Sequence, residues 1–311
     1  MLKLQESWCI NEKQEGEIRL GKVEALVEEA KKLDLYIYFG VTMEQAPAWL
    51  WRKYPDCHMV YSTGEIHKDP TQYLLPSDGK PGPCWDHPGA REAGSNFITE
   101  LARRLSRYDN ILAWNIWQEI GFWPMRSIPN SLGFCYCPYT LAGFRDWLKN
   151  KYGDLDSLND TWCTGYGDWE EVEPPRIFPM VPSYIDWRYF MDDVYLTRAL
   201  QWKAKAFKAN DPIKRPIFSH VSSPTVGSGA EWRWAKQGEV FGSSCYPAWF
   251  PFHKWDAGSS DSGLSLSLEA SLLKEVEYIA INFDYVRCAS GSNRQCWAAE
   301  FQGGPVSWAL H

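Results

Sequence analysis

No stretch of this chain approaches the roughly 18 consecutive apolar residues of a membrane-spanning helix, so a membrane is not an expected partner. Basic residues are in the minority. Against 39 Asp and Glu stand 32 Lys and Arg, a formal net charge of -7, which argues against nucleic acid or an anionic surface as the main partner. There is no G-x-G-x-x-G and no phosphate loop to support a nucleotide site, and no internal repeat or low-complexity segment. The nine Cys lack the spacing of a small disulfide scaffold, and an odd number favours reduced thiols, with metal binding as the other use. The first residues carry Lys3, Glu6, Glu12, Lys13 and Glu15, so the expectation is a chain without a leader and a cytoplasmic setting.

With 311 residues the chain can bury a large core, and the reading is a single α/β domain over 1–311. Apolar residues make up 45% and charged residues 23%, ordinary for a globular protein, but 18 Trp and 16 Tyr are many. Sugar rings present flat C–H faces that pack on aromatic rings, so a carbohydrate cleft is one reason for them. A dense aromatic core is the other.

The most informative stretch is 111–122, ILAWNIWQEIGF. A β-branched and aromatic run follows the polar turn of Asp109 and Asn110 and ends in Gln118, Glu119 and Gly121. It reads as a buried strand delivering an amide and a carboxylate to its C-terminal end. A carboxyl group beside so much aromatic surface loses hydration and holds its proton more readily, which makes Glu119 a candidate general acid. A strand-end Glu pointing into water is the competing reading.

Around this stretch, apolar runs alternate with helical stripes. Strands are expected at 2–8, 35–41, 111–117, 216–222, 240–246 and 296–300. Helices are expected at 19–33, with Leu20, Val23, Leu26, Val27, Ala30 and Leu33 inward, and at 97–105, 144–152, 193–208 and 272–286. The Pro-rich segment 42–96 is too long and too interrupted to be one element, and loops of that length are usually functional. Polar candidates fall at the strand ends, which is the grammar of a (β/α) barrel, here with about six units rather than eight. An open doubly wound sheet is the alternative.

Several stretches together resemble glycoside hydrolase family 42, the β-galactosidases, in the clan of retaining glycosidases built on TIM barrels. They are APAWLWRKYPD at 46–56, WNIWQEIG at 114–121, CYCPYTLAGFRDWLKNKYGDLDSLNDTW at 135–162, PPR at 174–176, DWRYF at 186–190, SCYP at 244–247 and AAEFQGGP at 298–305. The resemblance implies a (β/α)8 TIM barrel that is incomplete in this chain, the first strand reading as the family's second and the last as its seventh. It implies hydrolysis of terminal β-D-galactosides by double displacement, with Glu119 as acid/base and Glu300 as nucleophile. No cofactor is implied for catalysis, and the assembly implied is a homotrimer.

By the same resemblance Tyr246 hydrogen-bonds the nucleophile, while Gln118, Lys80 and Trp117 meet the sugar. Gln118 stands where the family has Asn, and Lys80 where it has Arg; Lys can still donate to a hydroxyl but lacks the rigid guanidinium fork. Many members hold structural zinc on four Cys. Cys84, Cys135 and Cys137 match three of them, the fourth position is Thr140, and His87 is a conceivable replacement donor. Two other readings stay open. One is a different β-glycosidase specificity, motivated by Gln118 and Lys80. The other is a degenerate barrel that holds sugar on Trp49, Trp51, Trp117 and Trp123 without cleaving it.

Overall fold

Alternation of buried strands with amphipathic helices translates directly into the element order of the computed structural model, which describes residues 1–68, 82–121, 132–177, 181–222, 229–245 and 268–301. The chain runs β1 (Leu2–Ser7), α1 (Trp8–Asn11), α2 (Gly21–Lys32), β2 (Ile37–Thr42), α3 (Ala48–Lys53), α4 (Pro88–Leu105) and β3 (Ile111–Trp117). It continues through α5 (Pro138–Tyr152), α6 (Leu155–Trp162), α7 (Pro182–Tyr189), a π-helical turn at Phe190–Tyr195, and α8 (Leu196–Asn210). Then come β4 (Ile217–Val221), α9 (Glu231–Trp234), β5 (Val240–Cys245), α10 (Leu268–Ser290) and β6 (Gln295–Phe301).

The six strands form one parallel sheet in the order β1-β2-β3-β4-β5-β6. That order decides the architecture. A doubly wound sheet reverses direction at a switch point and places helices on both faces, whereas an unbroken sequential order wraps every crossover onto one side and makes the sheet curl. The curl is visible in contacts between its two ends. Tyr38 of β2 donates its hydroxyl to the Ala299 carbonyl of β6, and the Lys3 ammonium of β1 pairs with Glu300 of β6. Tyr38, Ala113, Phe218, Val240 and Ala299, from five strands, make a small apolar layer inside the curl, while a much larger core lies between the sheet and the helices.

β2, β4 and β5 are buried along their whole length, the polar Ser219, His220, Ser243 and Ser244 included, and the edge strands β1 and β6 are only partly covered. Several helix expectations change. Leu26 and Leu33 match the helical spacing of α2 but face solvent, and only Val23, Val27 and Ala30 of the helix are buried. Pro88, read as a breaker, is the first residue of α4: its missing N–H is one that a helix start leaves unpaired anyway, and the His87 ring accepts the Ala90 N–H at 3.1 Å as cap. The helix expected at 97–105 therefore begins nine residues earlier. Between α5 and α7, where no helix is expected from the sequence, lies α6, and Gly153 with φ of 82° caps α5 one residue after the expected bound of 152.

Two buried ionic clusters hold the frame. Arg215 donates to the carbonyls of Ile111 at 2.7 Å, Ser106 at 3.0 Å and Tyr108, and pairs with Asp211 at 2.8 Å. Asp211 also takes the Trp114 indole N–H at 2.8 Å, so the start of β3 is fastened from below. Nearer the site, Lys203 of α8 is fully buried, pairs with Glu44 at 2.6 Å, and lies 3.8 Å from the centre of the Trp117 ring. Burial pushes the Lys203 amine down from its ordinary range while Glu44 pulls it up. Gly82 makes room for this pair, because a Cβ there would sit 2.6 Å from the Glu44 Cα. Among the described residues no helix is long and apolar enough to cross a membrane.

Candidate active site

β3 ends at Trp117, and the next two side chains emerge where the strand leaves the sheet. Glu119 takes the left-handed conformation, φ of 51°, which is costly for a residue with a Cβ and persists only where its surroundings hold it. They do so through both neighbouring strands. Ile120 donates its N–H to the His220 carbonyl of β4 at 3.0 Å, and Ser244 of β5 donates its hydroxyl to Glu119 Oε1 at 2.7 Å. Glu119 is thereby aimed inward and is 8% exposed, which answers the expectation that it might point into water.

Glu300 approaches from the other side. On β6 it is the register partner of Ser244, at a point where the ladder between β5 and β6 slips by one residue. Its Oε1 pairs with Lys3 and lies 3.9 Å from His220 Nε2, and its side chain is 12% exposed. The two candidate carboxylates, remote in sequence, are thus brought to the same strand position, with Ser244 beside one and hydrogen-bonded to the other.

The electrostatics around Glu300 are set by burial. His220 is fully enclosed, stacked on Phe218 with ring centroids 5.5 Å apart. Burial pushes its imidazole down to about 3, against the opposing pull of the Glu300 carboxylate, so it is neutral near pH 7. Tyr38 is held protonated, first by burial and second by the charge of Glu300.

A stability consequence follows from His220. The unfolded chain binds a proton on this residue below about pH 6.5 and the folded one does not until about pH 3, so its contribution is intact above that window and is lost as pH falls through it. In urea unfolding, wild type and His220→Asn should therefore differ by an amount that changes by about 1.4 kcal/mol per pH unit between pH 6 and 5. A difference independent of pH would contradict a buried neutral imidazole.

Gln118 is 3% exposed, and its Oε1 has no hydrogen-bond partner among the described residues. A buried amide oxygen left in this state is costly unless a ligand hydroxyl supplies the missing donor. Trp117 is placed differently from a sugar platform: its indole is fully buried with the Lys203 ammonium over its face, so it packs beneath the site. Trp49 is likewise buried, and Trp51 stacks on His58 at 4.4 Å. Tyr246, Lys80 and Trp123 lie outside the described residues.

Sequence reasoning missed Lys3, Tyr38, His220 and Ser244. A signal existed for two of them, since His220 and Ser244 are polar residues inside otherwise buried strand runs, IFSHV and VFGSSC.

Cys84, Cys135 and Cys137 form a separate buried cluster, their sulfurs all within 4.8 Å of one another. Thr140 occupies the fourth side, its Oγ1 lying 3.1 Å from Cys84 Sγ and 3.4 Å from Cys137 Sγ. Hydrogen bonds from Cys135 and then Cys84 draw the Cys137 thiol well below its ordinary range, while burial raises the other two. Three convergent sulfurs, one already biased toward thiolate, suit a thiophilic divalent ion. His87 does not complete the set: Nδ1 caps α4 and Nε2 faces Asp56 at 3.2 Å.

A family model described as β-galactosidase, glycoside hydrolase family 42, matches residues 4–311. The chain belongs to glycoside hydrolase family 42. β-Galactosidase BgaA of a Planococcus species is 24% identical over 256 residues, covering 78% of this chain and 35% of that protein. The chain therefore spans about a third of that relative's length. Among solved structures, a β-galactosidase from the psychrophilic Marinomonas ef1 superposes with a TM-score of 0.72 at 18% identity, covering 99% of this chain and 45% of the other. An exo-carrageenase of the same family from Bacteroides ovatus gives 0.59 at 20% identity, covering 78% of this chain and 32% of the other. These likenesses identify the curled six-stranded sheet as an incomplete (β/α)8 barrel.

Proposed function

We propose that this protein is a retaining glycoside hydrolase that releases terminal β-D-galactosyl groups by double displacement. The observation that carries the reading is the convergence of Glu119, just after β3, and Glu300, on β6, upon Ser244 of β5 at the C-terminal ends of the barrel strands, where barrel enzymes place their chemistry. In a retaining mechanism the two carboxyl groups sit about 5 to 5.5 Å apart, close enough for one to attack the sugar while the other reaches the leaving oxygen.

Glu300, faced by the Lys3 ammonium, attacks the anomeric carbon as a carboxylate. Glu119 gives its proton to the glycosidic oxygen, and the C–O bond to the aglycone breaks. Glu119, now a carboxylate, takes a proton from water. That water attacks the anomeric carbon from the face opposite Glu300, which restores the configuration and frees Glu300. Gln118 Oε1, which has no partner among the described residues, accepts a hydrogen bond from a sugar hydroxyl. Lys80 as a further sugar donor and Tyr246 as a partner of Glu300 are carried by the family resemblance alone. Cys84, Cys135 and Cys137 would hold a structural zinc ion, which when bound cross-links the segment before α4 to the start of α5 and takes no part in the chemistry.

Gln118 also favours a second reading, another β-glycosidase specificity, because its amide lies one methylene further along than the family's Asn. The test for both is hydrolysis of a panel of nitrophenyl β-glycosides by the intact protein, with the product anomer followed by NMR. β-Galactose released first, with retained configuration, is the expected result. Preference for another sugar selects the second reading. Inverted product, or no hydrolysis of any member, overturns the mechanism.

A further inference from the structure

Ser244 opens the SCYP stretch, in which no chemical role is read for it from sequence, yet its backbone meets one carboxylate and its hydroxyl the other. Its backbone is in register with Glu300 on β6, and its hydroxyl donates to Glu119 Oε1 at 2.7 Å. The contact is shielded, with Ser244 6% and Glu119 8% exposed, so neither group exchanges it freely for water. The strand is also shaped around this residue. The ladder slips between Ser243 and Ser244, and the Ser243 hydroxyl turns back onto the Ser244 carbonyl at 3.1 Å. On the other partner, the Glu119 backbone is pinned by Ile120 to β4 in a left-handed conformation. That fixes where the side chain starts and leaves its end to be oriented.

We propose that Ser244 is a positioning residue for the acid/base step, and that it determines which carboxyl oxygen of Glu119 carries the transferred proton. In a protonated carboxyl group the carbonyl oxygen is the better acceptor. A hydroxyl hydrogen aimed at Oε1 makes that atom the carbonyl oxygen and places the proton on Oε2. During glycosyl transfer the proton leaves Oε2 for the glycosidic oxygen as the bond to the aglycone breaks. The Ser244 hydroxyl then stabilises the carboxylate that remains. Because Ser244 also stands beside Glu300, the same strand position sets the acid against the nucleophile. The inference rests on the reading of Glu119 as acid/base given above.

The test compares Ser244→Ala, Ser244→Thr and Glu119→Gln in the intact protein, on aryl β-glycosides of the preferred sugar with leaving groups from dinitrophenol to phenol. Proton donation matters for phenol and hardly for dinitrophenol. Ser244→Ala should lose about 10- to 100-fold in kcat on the phenyl glycoside and under about 3-fold on the dinitrophenyl one, with KM little changed, a loss within the range that general acids supply. Ser244→Thr, which keeps the hydroxyl, should recover to within about 5-fold of wild type on both, so that only the donor and not strand packing is at issue. Ser244→Cys, similar in volume and a weak donor, carries the same comparison if the alanine variant does not fold. Uniform loss across leaving groups, or no loss, overturns the proposal. If Glu119→Gln shows the leaving-group dependence and Ser244→Ala does not, only the role of Ser244 falls. If Glu119→Gln itself shows none, the assignment of the acid falls and this inference with it.

Discussion

Glu300→Ala is expected to abolish formation of the covalent glycosyl-enzyme and to lower kcat by about 10⁴-fold or more, on the scale seen when a nucleophile that works in concert with other groups is removed. The reason is geometric. The carboxylate sits at the curled edge of the sheet beside Ser244 and opposite Lys3, and shortening it leaves a space the size of a small anion where that carboxylate stood. Added azide should occupy that space and attack the anomeric carbon of an activated aryl glycoside, expelling the phenol without needing a proton. The product should be the glycosyl azide of inverted configuration, because one displacement replaces two. Turnover near the wild-type rate in Glu300→Ala would remove the residue from the mechanism. Azide product of retained configuration would place the nucleophile elsewhere.

Glu119→Ala should behave differently, and the difference identifies its role. With phenyl or alkyl glycosides, whose leaving groups need protonation, a loss of about 10²- to 10⁴-fold in kcat/KM is expected. With dinitrophenyl glycosides the first displacement should proceed at a rate within about 10-fold of wild type, and the second, which has lost its general base, should become limiting. A burst of dinitrophenol followed by slow turnover is the signature to look for in stopped-flow absorbance. Equal losses on both substrate classes, with no burst, would argue that Glu119 shapes the cleft rather than moving a proton.

Much of the architecture could be read along the chain because it depends on local pattern. A largely apolar run such as 37–42 reads as a strand covered on both faces, and amphipathic stretches of helical period lie between such strands, so a parallel sheet covered by helices is nearly the only solution. Where the reading failed, tertiary burial overrode spacing. Leu26 and Leu33 have the right period and the wrong side of the helix, and Pro88 begins α4 because the His87 ring and a tertiary setting allow it. Trp117 lies in a motif that suggested sugar contact, but only the fold shows that its face is taken by Lys203, more than 80 residues away.

The sequence by itself determined the set of strands, their separation by helices, and the two glutamates at strand ends, since strand periodicity, helix periodicity and chain polarity are properties of neighbouring residues. Whether those glutamates meet was decided by tertiary structure alone. The sequential strand order makes the sheet curl, the curl brings β6 back toward β1, and Lys3, His220 and Ser244 then converge on two carboxylates from three different strands. Burial too belongs to the whole fold. It leaves His220 neutral, and it leaves the Gln118 oxygen without a donor among the described residues, because both properties depend on which distant side chains exclude water.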